Sequence, residues 1–212
     1  MASWQYCIDL HVHTRRFSPC AEALDPEQLI ALMHQRNLHG IVITEHDHLW
    51  PAEEVRALNR QLDSGRVYRG VEVSSRNGHF LVIGLDDLDG VRPGIAAADL
   101  IRKARQQEAA VIWAHPFLCY GNVAEPLPLE KMPSILDAIE IASSVTRGAE
   151  TLKALAYAQR MKWTAVGGSD AHAPSQVGYA YTRFARLPKN EKRLAAAIRA
   201  GRCRLTLGSK NK

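Results

Sequence analysis

Apolar residues along the chain fall into two alternating rhythms, short strand-like runs and longer stretches at helical spacing. QYCIDL reads as a strand leading into a His-rich loop, and DPEQLIALMHQRNL as a helix. In that helix Leu29, Ile30, Leu32, Met33 and Leu38 recur at helical intervals, and Pro26 suits the first turn. GIVIT follows as a buried strand and PAEEVRALNRQL as the next helix. VYRGVEV and HFLVIGL are strands separated by the turn-like SSRNG. AADLIRKARQQE predicts a helix, AVIWA a strand, and FLCYGNVAEPLPLEKMP a long Pro-rich loop. DAIEI, RGAETLKALAYAQRM and WTAVGG predict strand, helix and strand, and EKRLAAAIRAG predicts a closing helix stopped by Gly201. This alternation predicts a mainly parallel α/β sheet flanked by helices. A (β/α) barrel of about seven strands is preferred over a doubly wound open sheet. No repeat, low-complexity tract or linker interrupts it, so residues 1–212 are expected to form one domain.

The nine histidines are not scattered through this pattern. His34 and His39 belong to a helix and its end, where an ordinary surface role is expected. The others border strands. His11 and His13 follow QYCIDL, His46 and His48 follow GIVIT, His79 opens HFLVIGL, His115 follows AVIWA and His172 follows WTAVGG. A lone histidine after a strand is more often structural, but five strand regions each delivering one is hard to explain as packing. In α/β folds the strand ends gather on one face and form the site. Acidic residues accompany them: Asp9, Glu45, Asp47, Glu72 and Asp170. Neutral imidazoles with carboxylates suit zinc, manganese or iron. HVH turns His11 and His13 to the same side of an extended segment, and SDAH does the same for Asp170 and His172. A carboxylate such as Glu72 can bridge two ions roughly 3.5–4 Å apart. The GG of VGGSD is read as room for a close backbone approach.

Composition narrows the alternatives. At 46% apolar residues, 212 residues can bury a substantial core, and no apolar run approaches the roughly 18 needed to span a bilayer. The start lacks a secretory pattern, so a cytoplasmic location is expected. Cys7, Cys20, Cys119 and Cys203 contain no CxxC pair, which argues against a disulfide framework. Cys119 with His115 as a nucleophile pair is disfavoured by Pro116 and the surrounding metal-type residues. The net charge of +5 owes much to Lys189, Lys192, Arg193, Arg199, Arg202, Arg204, Lys210 and Lys212, read as a solvated helix face and a frayed tail in preference to a nucleic-acid patch. GxSxG, P-loop and GxGxxG motifs are absent.

DLHVHT, ITEHD, GVE with GHF, AHP and GSDAH together, in this order, resemble the motifs of the PHP (polymerase and histidinol phosphatase) superfamily. The resemblance runs from Asp9 to about Arg183. It implies a distorted (β/α)7 TIM-like barrel carrying two or three divalent ions and hydrolysing phosphate esters. By that resemblance His11, His13, Glu72 and Asp170 hold one ion, Glu72, His79 and His115 a second, and His46 with His172 a third. Where relatives carry an Asp or His for the third site, this chain reads HTRRFSPC. Cys20 is the candidate ligand there, weighed evenly against a small buried thiol. Glu45 and Asp47 are expected to support ligands by hydrogen bonding.

The expected activity is therefore a metal-dependent phosphoesterase using a metal-bound hydroxide, formed because the metals lower the pKa of bound water from 15.7 towards about 7. The catalytic group is that hydroxide and no protein nucleophile is assigned. Arg15 and Arg16 are candidate phosphate contacts, equally readable as solvated surface. The substrate is expected to be a phosphorylated small molecule, a nucleotide or a nucleic-acid end, with no membrane and no obligate protein partner. A metal-stabilised binding module and an amidohydrolase-like C–N hydrolase are the rival readings.

Overall fold

The computed structural model describes residues 3–118, 136–146 and 148–207. The Pro-rich segment and Cys119 lie largely or wholly outside these residues, as do Lys210 and Lys212. In chain order the elements are β1 (Tyr6–Val12), α1 (Leu29–Gln35), β2 (Gly40–Ile43), α2 (Ala52–Asn59), β3 (Arg66–Ser75), β4 (Gly78–Ile83) and α3 (Ala97–Gln106). They continue as β5 (Ala110–Trp113), β6 (Ala138–Ala142), α4 (Gly148–Met161), β7 (Thr164–Gly167), β8 (Ala180–Phe184), α5 (Glu191–Arg199) and β9 (Arg204–Leu207).

Strands β1 to β7 lie side by side in chain order within one sheet, and β8 and β9 extend it beyond β1. β1–β2, β2–β3, β5–β6 and β6–β7 pair parallel, whereas β4 is antiparallel to both β3 and β5. The sheet closes on itself beside the strand ends. Val12 bridges Ala171 in parallel, with His13 N donating to the Ala171 carbonyl at 2.9 Å and Ala171 N to that of His11 at 3.3 Å. Lower down β8 enters between β1 and β7. Its Thr182 hydroxyl donates to the Gly167 carbonyl and accepts from the Gly167 N–H, both at 2.9 Å. The architecture is thus a distorted barrel of seven strands with a two-strand extension, not an open doubly wound sheet.

β8 and β9 were not among the expected elements, and β9 occupies part of the segment read as a frayed basic tail. The reason is local. β8 buries only Ala180, Thr182 and Phe184, one of them polar, and β9 is four residues with both ends exposed. α1 is also shorter than its periodicity suggests. A 3-10 turn at Pro26–Gln28, capped by Asp25 accepting from Glu27 N, precedes Leu29, and the chain breaks away at Asn37 with φ +53°.

The apolar positions segregate by face. Ile8, Leu10, Tyr68, Leu81, Ile83, Ala110, Ile112 and Phe184 fill the barrel interior and pack against Leu194, Ala195 and Ile198 of α5. Those strand residues lie toward the end where β1, β3 and β5 begin and β4 finishes, so α5 plugs that end. Asn190 caps α5 by accepting from Arg193 N, and Gly201 terminates it at φ +63°. α3 and α4 cover the outer face of β3–β7, with Ala97, Leu100, Ile101 and Ala104 recurring at helical spacing on α3. α1 and α2 cover β1–β3.

Candidate metal centre

The opposite end of the barrel is polar, and its residues reach it for reasons visible in the strands. In β1 the inward residues Ile8 and Leu10 are even-numbered, but the register shifts between Asp9 and Val12. Val12 then joins the outer core, which turns His11 and His13 inward. On β3 the residues alternate strictly, so Glu72 faces inward two positions beyond Gly70 and four beyond Tyr68. β4 runs the other way, which is why His79 stands at a strand's start and yet reaches the same end, paired across from Ser74. His115 and Asp170 end the passages from β5 and β7 with φ of +26° and +52°, and Asp47 after β2 has φ +52°. Such conformations cost about 1–3 kcal/mol each and concentrate at functional sites.

Glu72 stands at the middle. Its Oε1 lies 3.0 Å from His79 Nδ1 and 2.9 Å from His115 Nε2. Its Oε2 lies 3.4 Å from His11 Nε2, 3.2 Å from His13 Nε2 and 3.0 Å from His46 Nδ1. Despite three nitrogens in range, Oε2 is fully buried and makes no hydrogen bond. Asp170 Oδ1 is 3.3 Å from both His11 Nε2 and His13 Nε2, which are themselves 3.0 Å apart. Carboxylate oxygens and imidazole nitrogens that converge this closely fit a cation, since a buried polar atom left unpaired otherwise costs about 1–3 kcal/mol.

Donor atoms gather in three overlapping groups, each within 4.8 Å: His11, His13, Glu72 and Asp170; Glu72, His79 and His115; His13, His46 and His172. Eight of the nine residues expected from the sequence are thereby brought together. Cys20 lies in the turn Pro19–Ala21, exposed, and is in none of the groups. His13, rather than a residue of that turn, completes the group of His46 and His172.

Around the donors stands a ring of buried hydrogen bonds. Glu45 accepts from Thr14 N at 3.0 Å, from the Thr14 hydroxyl and from Trp50 Nε1 at 2.9 Å, locking the loop after β1. Asp47 Oδ1 accepts from Ser74 N at 2.8 Å. Asp9 accepts from the backbone N–H groups of Ser169, Gly178 and His11, and burial pushes it up to about 6 in spite of them. Arg15 and Arg16 are engaged at the surface by Asp25 and Glu54.

Glu140 was not expected from the sequence. It stands on β6, inward and buried, accepting from His115 N at 3.0 Å and facing His11 Nδ1 at 3.1 Å. A proton on Nδ1 donated to Glu140 leaves the Nε2 lone pair free for the Glu72–Asp170 side. The one sequence signal was a charged residue in the middle of the strand DAIEI. Gly168 makes this approach possible: a Cβ there would stand 2.5 Å from His11 Cβ and 2.9 Å from Glu140 Oε1. Gly167 is less constrained, since a Cβ there would crowd the movable end of the Leu205 side chain, so of the two glycines of VGGSD it is Gly168 that the close approach requires.

The electrostatics are those of an anionic pit. Burial opposes charge on His11, but Asp170, Glu140 and Glu72 outweigh it and hold its pKa well above the ordinary imidazole value. Burial likewise opposes charge on Glu72 and Asp170, yet the imidazoles, His11 foremost, hold both carboxyls below their usual range. His172, pressed by burial and by His13, is pushed down.

A family model described as PHP-associated matches residues 148–203. An uncharacterized protein of Methanocaldococcus jannaschii is 29% identical over 188 residues, covering 85% of this chain and 71% of its own. A protein of Shewanella oneidensis named probable phosphatase is 27% identical over 207 residues, covering 82% of this chain and 79% of its own. Among solved structures, a two-domain Bacteroides vulgatus protein is described as containing a predicted PHP-like metal-dependent phosphoesterase. It superposes with a TM-score of 0.72 at 19% identity, over 96% of this chain and 65% of its own. These matches bear out the resemblance to PHP proteins and the barrel fold. Among the described residues no helix is long and apolar enough to cross a membrane.

Proposed function

We propose that this protein is a metal-dependent phosphoesterase holding two or three divalent ions, of the zinc, manganese or iron type, at the polar end of its barrel. The observation that carries the reading is Glu72, a buried carboxylate whose two oxygens face two different sets of imidazoles and whose Oε2 makes no hydrogen bond. His11, His13, Glu72 and Asp170 would hold one ion, Glu72, His79 and His115 another, and His13, His46 and His172 a third. Bound ions would supply Lewis acidity to a phosphoryl group and lower the pKa of an attacking water. The chain's own part is to hold that geometry. Glu140 fixes the His11 ring, Glu45 pins the loop after β1, and Asp9 ties β1 to the turn after β7. The substrate is proposed to be a phosphate ester on a small metabolite, a nucleotide or an oligonucleotide end, in keeping with the phosphatase and phosphoesterase names of the relatives.

The test is metal per chain by elemental analysis in wild type and Asp170→Ala, with turnover of p-nitrophenyl phosphate and of a 5′-phosphorylated oligonucleotide. Two or three equivalents and phosphate release, both falling in the variant, support the reading. Metal near zero after reconstitution would sink it. Full metal loading with amide or lactone hydrolysis in place of phosphate release would move the site to C–N chemistry.

A further inference from the structure

At the barrel end away from the metal centre, the β8–α5 loop and α5 border an open concavity of about 640 Å³. Arg186, Lys189, Arg193 and Arg202 line it with no acidic residue, and Phe184, Leu187, Pro188 and Ala197 supply an apolar wall. Its volume is that of a small-molecule site. Among the described residues, the ion pairs of Arg and Lys involve Arg15, Arg16, Arg56, Arg102, Arg105 and Lys192, and none of these four. These four like charges thus line the concavity without an ion pair among the described residues.

The frame around them is fixed. The buried Tyr68 hydroxyl donates to the Pro188 carbonyl at 2.7 Å, anchoring the loop from inside the barrel. Asn190 caps α5 through Arg193 N at 3.0 Å, and Arg202 N returns to the Ala197 carbonyl at 2.9 Å. Arg193 and Ala197 are one helical turn apart and share a face. A single phosphate carries at most about two negative charges near pH 7, about half of what four cations can match. A polyphosphate chain matches it, guanidinium groups bind phosphate oxygens in pairs, and the apolar wall offers a seat to an organic group.

We propose that this concavity binds an organic polyphosphate of the nucleoside triphosphate class, at a site separate from the metal centre. Phe184 pairs with Tyr6 at the start of β1, whereas His11 and His13 stand at its far end. The separation is about 20 Å at roughly 3.3 Å per residue. The limited extent of the concavity, half open between one loop and one helix, favours a small molecule over an extended nucleic-acid strand.

The experiment is calorimetric titration of the full chain in EDTA with ATP, inorganic triphosphate and single-stranded oligonucleotides of two lengths. Wild type is compared with an R186E/R193E double variant and with His13→Ala. The substituted arginines are exposed, and circular dichroism verifies that the double variant keeps its fold. The expected result is one equivalent of ATP, inorganic triphosphate binding more weakly, at least tenfold loss in the double variant, and no change in His13→Ala. ATP binding that survives the double variant, or that disappears with His13→Ala, would overturn the site. Oligonucleotide affinity that exceeds ATP and grows with length would replace it with a nucleic-acid surface. Equal affinity for ATP and inorganic triphosphate would remove the organic group from the proposal.

Discussion

The two ends of this barrel are built from the same strands on opposite principles. At the end plugged by α5, Ile8, Leu81, Ile83, Ala110, Leu194 and Ile198 exclude water and ask only for matched volume. At the other end Glu72, Asp170, Glu140, His11, His13 and His115 are buried too, but as polar groups that each need a partner, while His46, His79 and His172 stay partly exposed. Positive φ at His115, Asp170 and Asp47 belongs to the second end. An apolar end is a store of stability, whereas a polar one draws on it, because desolvated charges are held only by their partners. Substitutions at the two ends should therefore separate stability from metal binding and turnover.

The largest expected effect is Glu72→Gln. The change keeps volume but removes the charge that both sets of imidazoles face. Loss of several kcal/mol of transition-state stabilisation corresponds to about 10³-fold in rate. Phosphate release should fall by about that factor, and metal per chain should fall with it. Full activity in this variant would separate the site from the chemistry.

Leu194→Ala sharpens the contrast from the other end. Leu194 is fully buried against the barrel interior, so its truncation should cost about 2–5 kcal/mol. For a chain of this size that lowers the melting temperature by roughly 4–20 °C. Metal content and turnover measured well below the transition should stay within about twofold of wild type. A specific loss of metal at full folding would show that the two ends are not separable.

How much of this was legible in the sequence follows the same divide. Strands β1 to β7 were readable because apolar runs such as HFLVIGL and GIVIT are bounded by turn residues, and the His-bearing motifs border them, after GIVIT and at the start of HFLVIGL. β8 and β9 were not, since Thr182 and the arginines around β9 break the apolar signal that a short strand needs. The residues that gather at the polar end were readable because paired histidines and acids are rare at strand ends. Glu140 was not, because one acid within an apolar run carries no spacing pattern, and its partner His11 lies 129 residues away. Nor could spacing reveal that His13 completes the third group. That depends on the shifted register of β1, which no periodicity records.

Glu140→Gln should have an intermediate effect confined to the polar end. The amide still occupies the space beside Gly168, but it loses the charge that faces His11 Nδ1 at 3.1 Å. Weakening a support of this kind costs about 10–100-fold in metal affinity. Competition with a chelator should detect that drop while the melting temperature of the metal-free protein hardly moves. An unchanged affinity would mean that His11 is oriented by packing against Gly168 alone.

The smallest effect is expected where the apolar end carries its own polar contact. The Tyr68 hydroxyl donates to the Pro188 carbonyl at 2.7 Å, and burial pushes its pKa up. Because the folded-state pKa is raised, the neutral phenol is the form that folding favours, so this stability is present at neutral pH and is lost only as pH rises past the ordinary tyrosine range near 10. Tyr68→Phe removes the donor and leaves the carbonyl unpaired, a cost of about 1–3 kcal/mol. The variant should melt roughly 2–12 °C lower at neutral pH with metal content and phosphate release unchanged. Above pH 10 the gap between the two proteins should narrow, because the wild-type phenol is then penalised for staying protonated in the fold. A gap that is constant with pH would mean that the phenol ionises as readily in the fold as in the unfolded chain, which would overturn its buried, proton-donating role.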